Sequence, residues 1–322
     1  MRVTILCHVV VFLLHYLLVL CHGRQSCEDD RKWLVHLPAY MGNKDFSVSH
    51  LKEHRNMDKV YEHYVNENID RENGIGDGEF IDAVEHFFWG QTLGLALELG
   101  GADGSMVKRS VTSYLEKNFD WRRVIVEGNP VYLDDLKLNS HQAIAVSAVV
   151  CDDIENHKHF ALKPLIGGIV EYMSAPFLRR FYPDIVMGYK TYGSLDKFDW
   201  LDLETQVNAV TCVRLADILH GLKIKYVYWM VIDVEGAELE VLKSVDWDAV
   251  RFDVLTVETA PVRRGPGLAD LITAFLMSKG YESASKQVGR NLCKFFLSLY
   301  WLFAYILRYF DTTRVQTSGL PM

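Results

Sequence analysis

The chain has 322 residues, 49% of them hydrophobic and 24% charged, and carries a net charge of −8. That length holds one large or two modest domains, and the composition is globular rather than disordered or fibrous. Basic residues cluster no further than pairs such as Lys108-Arg109 and Arg263-Arg264, so the acidic balance argues against a nucleic-acid binder.

The N-terminus opens on VTILCHVVVFLLHYLLVLC, residues 3–21, with no Lys, Arg, Asp or Glu. The run is about long enough to cross a bilayer and longer than an ordinary signal-peptide core. Residues 1–23 therefore read as a signal peptide or a signal anchor. Either sends the chain into the secretory pathway, to a type II position in the endoplasmic reticulum or Golgi membrane, or to secretion if cleaved. Of the remaining cysteines, Cys27, Cys151, Cys212 and Cys293 form an even set that allows three pairings, with no closely spaced pair for zinc. The chain has no N-x-Ser/Thr sequon.

Residues 24–90 are polar and read as a stem with an N-terminal helical cap, including an amphipathic FIDAVEHFF at 80–88. From 91 to 290 apolar runs alternate with helical patterns, which implies βαβ units and a mostly parallel sheet. The expected strands are 93–99, 122–128, 142–151, 225–236 and 252–258. The expected helices are 105–119, 131–139, 213–219, 237–245 and 268–280. Residues 154–210 contribute cap helices and a short strand over the site. In the last segment, 291–322, the uncharged FFLSLYWLFAYIL at 295–307 is short for a membrane span, and its first half reads as a final strand.

LALELGGADG at 95–104 runs a buried strand into an acid and a glycine turn. Glycines at Gly100, Gly101 and Gly104 let backbone approach a ligand closely, and Glu98 stands where a dinucleotide fold would offer a phosphate nest. The GxGxxG spacing is absent, which disfavours a nucleotide-dependent oxidoreductase. A cationic ligand suits the acid, and S-adenosylmethionine (SAM), with its sulfonium and α-amine, meets that requirement. Glu127, closing the second strand, is placed to take both ribose hydroxyls, and Asp152, ending the third, to meet the adenine amino group. The fourth strand delivers IDVEGAELE. Asp233 is a candidate general base on an acceptor hydroxyl, or a ligand to a divalent cation (Mg2+) with Glu235 or with Glu258 at the end of the fifth strand. Glu238 reads as a first-turn acid favoured by the helix dipole.

ELGGADG, WRRVIVEGNPVYLDDL and YWMVIDVEGAELEVLKSVDWDAVRFDVLTVE together resemble the FkbM-type SAM-dependent methyltransferase domain, closest to its invertebrate, membrane-anchored, Star-like branch. The resemblance runs over roughly 93–282. It implies a class I methyltransferase fold: α/β, doubly wound, with a mostly parallel seven-stranded, Rossmann-like sheet. It further implies SAM as cofactor and methyl transfer to oxygen, on a glycan or small-molecule hydroxyl. It maps the acid-glycine turn onto Glu98, Gly100 and Gly104, the ribose acid onto Glu127, and the cleft acids onto Asp233, Glu235 and Glu258. The apolar segment after Tyr281 departs from the family pattern. Two functions follow: a membrane-anchored O-methyltransferase with Asp233 and Glu258 catalytic, or a trafficking adaptor that keeps the fold without turnover. The intact turn favours the enzyme; no nucleic-acid partner is expected, and oligomeric state is unspecified.

Overall fold

The computed structural model describes residues 91–105, 110–139, 143–198, 203–259 and 267–282, with strand backbone at 34–36, 54–55 and 294–298 and single positions at 83, 87 and 88. The chain starts with β1 (Leu34–His36), β2 (His54–Arg55), β3 (Gln91–Thr92) and β4 (Leu95–Leu99). It continues with α1 (Ser113–Phe119), β5 (Arg122–Glu127), α2 (Leu133–Asn139) and β6 (Ala143–Ser147). Next come β7 (His157–Ala161), β8 (Gly168–Ile169), α3 (Ala175–Phe181), α4 (Pro183–Tyr192) and β9 (Val207–Thr211). The last elements are α5 (Leu215–Gly221), β10 (Tyr226–Ile232), α6 (Glu238–Lys243), β11 (Arg251–Glu258), α7 (Leu268–Ser278) and β12 (Lys294–Ser298).

Five strands, in the order β6-β5-β4-β10-β11, make a parallel sheet. β4 is buried at every position and β5, β10 and β11 at all but their first. Strands covered on both faces need continuous apolar runs rather than alternation, which is what LALEL, VIV and VYWMVI supply. Against the seven strands expected, five are parallel, and the backbone segments β1 and β12 run antiparallel along β6 and β11. Trp121 and Trp229 are fully buried and meet around Phe88, at ring-centroid distances of 5.0 and 6.1 Å. Each indole N–H finds an acceptor, Gln91 O for Trp121 and Thr256 Oγ1 for Trp229, so neither ring is buried at the expense of its polar edge.

The chain starts the parallel part of the sheet at β4, in its middle, builds outward through β5 to β6, then crosses back to lay β10 against the other side of β4. The direction of winding therefore reverses between β4 and β10, and ligands of open α/β sheets bind at the carboxyl ends of the strands at such a point. The return path carries residues 152–211, folded as an antiparallel sheet, β8-β7-β9, with α3 and α4. This cap has its own apolar core of Phe177, Tyr182, Ile185 and Phe198 with Ala161, Val170, Met173 and Leu178. Ser174 caps α3 by accepting from Phe177 N at 3.2 Å.

Several expected boundaries move, each for a local reason. The helix expected from 105 begins only at Ser113, because 110–112 is drawn onto Glu98 as described below. The strand expected over 142–151 stops at Ser147, beyond which Val150 makes a single parallel bridge to Val213. β10 ends at Ile232 because Glu235 (φ 57°) and Gly236 (φ 116°) turn the chain through the left-handed region. Among the described residues no helix is long and apolar enough to cross a membrane. The stretch 3–21, Cys27, Cys293 and most of the helix expected at 80–88 lie outside them.

Candidate functional site

The glycine turn after β4 is shaped by the neighbouring strands as much as by any ligand. Gly100 sits at φ 85°, and a Cβ there would stand 1.8 Å from the carbonyl oxygen of Asp233. Only glycine lets the ends of β4 and β10 come this close. Gly101 is similarly pressed on Ile125, and Gly104 (φ 72°) closes the turn by donating to Gly101 O at 2.9 Å. Of the three glycines, Gly100 alone lines the cavity described next.

Glu98 points away from that cavity. Its buried carboxylate accepts from Ser110 Oγ (2.7 Å), Val111 N (2.8 Å), Thr112 N (3.3 Å) and Thr112 Oγ1. Beside it the buried Arg123 donates to Glu116 (2.9 Å through Nε), Ser110 Oγ (3.1 Å) and the Gly104 carbonyl (3.2 Å). The acid is thus the keystone of a polar network that fixes the loop after the turn, not a counter-charge aimed at a ligand. A buried carboxylate is tolerable only when donors surround it, and these four do.

At the carboxyl edge of the sheet lies a cavity of about 330 Å³, within the range of small-ligand pockets. One wall comes from the sheet: Leu99, Gly100 and Ala102 after β4, Glu127 to Asn129 after β5, Ala148 to Val150 after β6, and Asp233 to Glu235 after β10. The other comes from the cap: Phe160 and the run Leu165 to Ile169. Glu127 Oε2 accepts from Ala102 N (2.9 Å) and Oε1 from Asn129 N (2.7 Å), so the acid ties the turns after β4 and β5 together. Burial outweighs these two bonds and pushes the Glu127 carboxyl up to about 7. Two polar side chains stitch the cap loop over the opening. Tyr132 OH accepts from Leu165 N (2.8 Å), and Asn129 Nδ2 donates to Lys163 O (3.4 Å). Leu165 is exposed at the mouth and held at φ 61°, an uncommon conformation for a non-glycine residue.

The turn after β10 presents Asp233, exposed, and Glu235, buried, on the cavity wall. A Cβ on Gly236 would meet the Tyr172 carbonyl at 2.5 Å, so the cap rests directly on this turn. Glu238, the expected first-turn acid of α6, is fully buried; its Oε1 accepts from Gly236 N (3.1 Å) and Val234 N (3.4 Å) and so shapes the turn that carries Asp233 and Glu235. Carboxylate oxygens of Asp233, Glu238 and Glu258 lie within 4.8 Å of one another. Glu235 is outside that cluster, and Glu258, buried at the end of β11, is outside the cavity wall.

The candidate residues thus separate. Gly100, Glu127, Asp233 and Glu235 converge on one cavity, whereas Glu98, Gly101, Gly104 and Glu258 stand behind it. Asp152 is exposed, five residues past the end of β6 and away from the wall, where the apolar Val149 and Val150 occupy the position expected for it. Asn129, Tyr132 and Phe160 are wall residues that sequence reading did not single out; the Asn-Pro pair opening the short turn at Pro130 was the available signal for the first two.

Among the described wall residues there are three carboxylates and no Lys, Arg or His, a donor set unsuited to phosphate. Among curated proteins no relative matches the chain. The family model for the methyltransferase FkbM domain matches residues 98–283, which takes in the turn after β4, the cap and every cavity residue named above. The chain belongs to the FkbM methyltransferase family.

Proposed function

We propose that the chain is a SAM-dependent O-methyltransferase of the secretory pathway, acting on an uncharged hydroxyl acceptor such as a glycan. The observation that carries this reading is the pairing, in one cavity, of a buried acid, Glu127, with an exposed acid, Asp233, at the point where the winding of the sheet reverses. The wall suits the cofactor. Glu127 would accept from the ribose hydroxyls, Val149, Val150 and Phe160 would pack on the adenine, and the carboxylates of Asp233 and Glu235 would face the cationic end. When bound, SAM supplies an electrophilic methyl group on a sulfonium.

Asp233 would accept the acceptor's hydroxyl proton as the oxygen takes the methyl, and positioning by the cap would contribute most of the rate. Glu235, held at φ 57° on the wall, would orient the acceptor, and Glu258 would act through the Asp233 cluster without touching substrate. A divalent cation is a finer element of the reading. Its donors would be Asp233, Glu238 and Glu258 in place of Asp233 with Glu235. The disulfide between Cys151 and Cys212 and the apolar run at 3–21 support passage through an oxidising compartment.

The test is calorimetry of SAM on the purified protein, followed by transfer of labelled methyl to a panel of glycoprotein and small-molecule hydroxyls. Binding with transfer supports the enzyme. Binding with no transfer to any hydroxyl turns the reading to the trafficking adaptor, and absence of binding ends it.

A further inference from the structure

The cap is an insertion with a single base. It leaves the sheet region at Cys151 and returns at Cys212, 61 positions later, and the two sulfurs are bonded. Both cysteines are fully buried. Few backbone links join the two stems at this point: Cys151 N donates to Val213 O (3.3 Å), Val213 N donates to Val149 O (2.9 Å), and Val150 bridges Val213. The bond is not remote from the cavity. Cys151 and Cys212 share an apolar cluster with Phe160, Ile169 and Ala237, and all three of those residues line the wall. Val149 and Val150, next to Cys151, line it from the other side.

We propose that the Cys151–Cys212 bond is a positioning element of the ligand cavity, setting Phe160 and Ile169 of the cap opposite Val149 and Val150. The proposal rests on the reading of the cavity as a nucleoside site. With the bond open, the six wall residues that the cap supplies, Phe160 and Leu165 to Ile169, sit on an insertion seated by those backbone links, by the Asn129 and Tyr132 hydrogen bonds and by the contact at Gly236. The ligand must then seat the cap on the sheet before it gains its contacts, and affinity falls by the population of the seated form. The coupling is reciprocal: a ligand that binds only the closed arrangement protects the bond. A dithiol such as dithiothreitol breaks the S–S bond by thiol–disulfide exchange. Two electrons and two protons pass to the cysteines, and the reagent leaves as its cyclic disulfide.

The experiment uses the full chain, S-adenosylhomocysteine as probe, and two independent readouts. The double variant C151A/C212A is compared with wild type by calorimetry and by far-ultraviolet circular dichroism. It is expected to keep the spectrum of the sheet and to bind the probe at least tenfold more weakly. Native wild-type protein is also treated with dithiothreitol, and thiols are counted over time with and without saturating probe. Release is expected to slow at least tenfold with probe bound, and by more in a destabilising concentration of urea than the probe's shift of global unfolding accounts for, an excess that a bond serving only overall stability would not show. Equal affinity in the folded double variant overturns the proposal, as does a reduction rate indifferent to the probe. If the variant does not fold, the reduction rates alone decide. Wild-type protein that binds no probe overturns the nucleoside reading and the proposal with it, whereas binding retained equally by both proteins overturns the proposal alone.

Discussion

With Glu127 as the acid that holds the ligand's diol, as proposed, ligand affinity becomes a function of pH, with a size and direction set by the surroundings of that carboxyl. The free carboxyl is pushed from 4.5 to about 7, chiefly because burial penalises its charge. A ribose diol donating to it would favour the anion, so binding below pH 7 must expel the proton first. Affinity for S-adenosylhomocysteine is then expected to fall about tenfold per pH unit below 7 and to level off above it. At pH 6 about 0.9 of these carboxyls carry a proton, so about 0.9 proton should leave per ligand bound. Calorimetry in buffers of different ionisation enthalpy counts that proton directly, and Glu127→Gln should abolish both the count and the slope. The ligand-free protein runs the other way. Because the folded value is raised, the stability Glu127 contributes is complete below 4.5 and lost as pH climbs through about 7, about 3 kcal/mol in all. Urea midpoints of wild type against Glu127→Gln across that window measure it. A flat affinity profile with no proton released would refute the assignment of Glu127 to the diol.

Gly100→Ala should prevent folding rather than merely weaken ligand binding, costing about 4 kcal/mol or more, since its Cβ would overlap the Asp233 carbonyl; soluble yield and circular dichroism report it. Glu98→Gln should lower the unfolding free energy measured by urea titration by about 2 kcal/mol, because a neutral amide replaces a carboxylate surrounded by four donors; no change would mean that the network is dispensable. Asp233→Asn should cut methyl transfer by about 10²–10⁴ while leaving affinity for S-adenosylhomocysteine, which lacks the sulfonium charge, close to wild type, and a parallel loss of both would make holding the ligand its main role. Uronate or phosphate groups beside the accepting hydroxyl should disfavour it relative to the neutral sugar at low salt, with the gap narrowing as salt rises; a preference for the anionic sugar would contradict the carboxylate-only wall.

The sheet was legible in the sequence because strands buried on both faces leave uninterrupted apolar runs, and Glu127 was legible because it closes one of them. Glu98 is next to last in an equally clear strand, yet its partners lie at 110–112, inside a stretch with helical spacing. The polar run Ser110, Thr112 and Ser113 was the trace of that network, visible only once an acid needing donors had been placed opposite. Glu238 is the first-turn acid that the sequence placed there, but a glutamate beginning a helix has a sufficient local explanation, and only tertiary burial reveals its bonds to Val234 and Gly236. The cap was least legible. Its strands are short, β9 is mostly exposed or half-buried, and the pairing of β7 with β9 joins residues about fifty positions apart.

The geometry at the base of the cap also bears on how such a protein can change. The Cα atoms of Cys151 and Cys212 are 5.4 Å apart, a gap that one or two residues span. Everything between them can therefore be lengthened, shortened or exchanged while β6 and α5 keep their places. The sheet edge that supplies Glu127 and Asp233 and the insertion that supplies Phe160 and Leu165 are in this sense separable parts. New acceptor preferences can be explored by recombining whole caps at one junction, with the acids at the carboxyl edge left untouched.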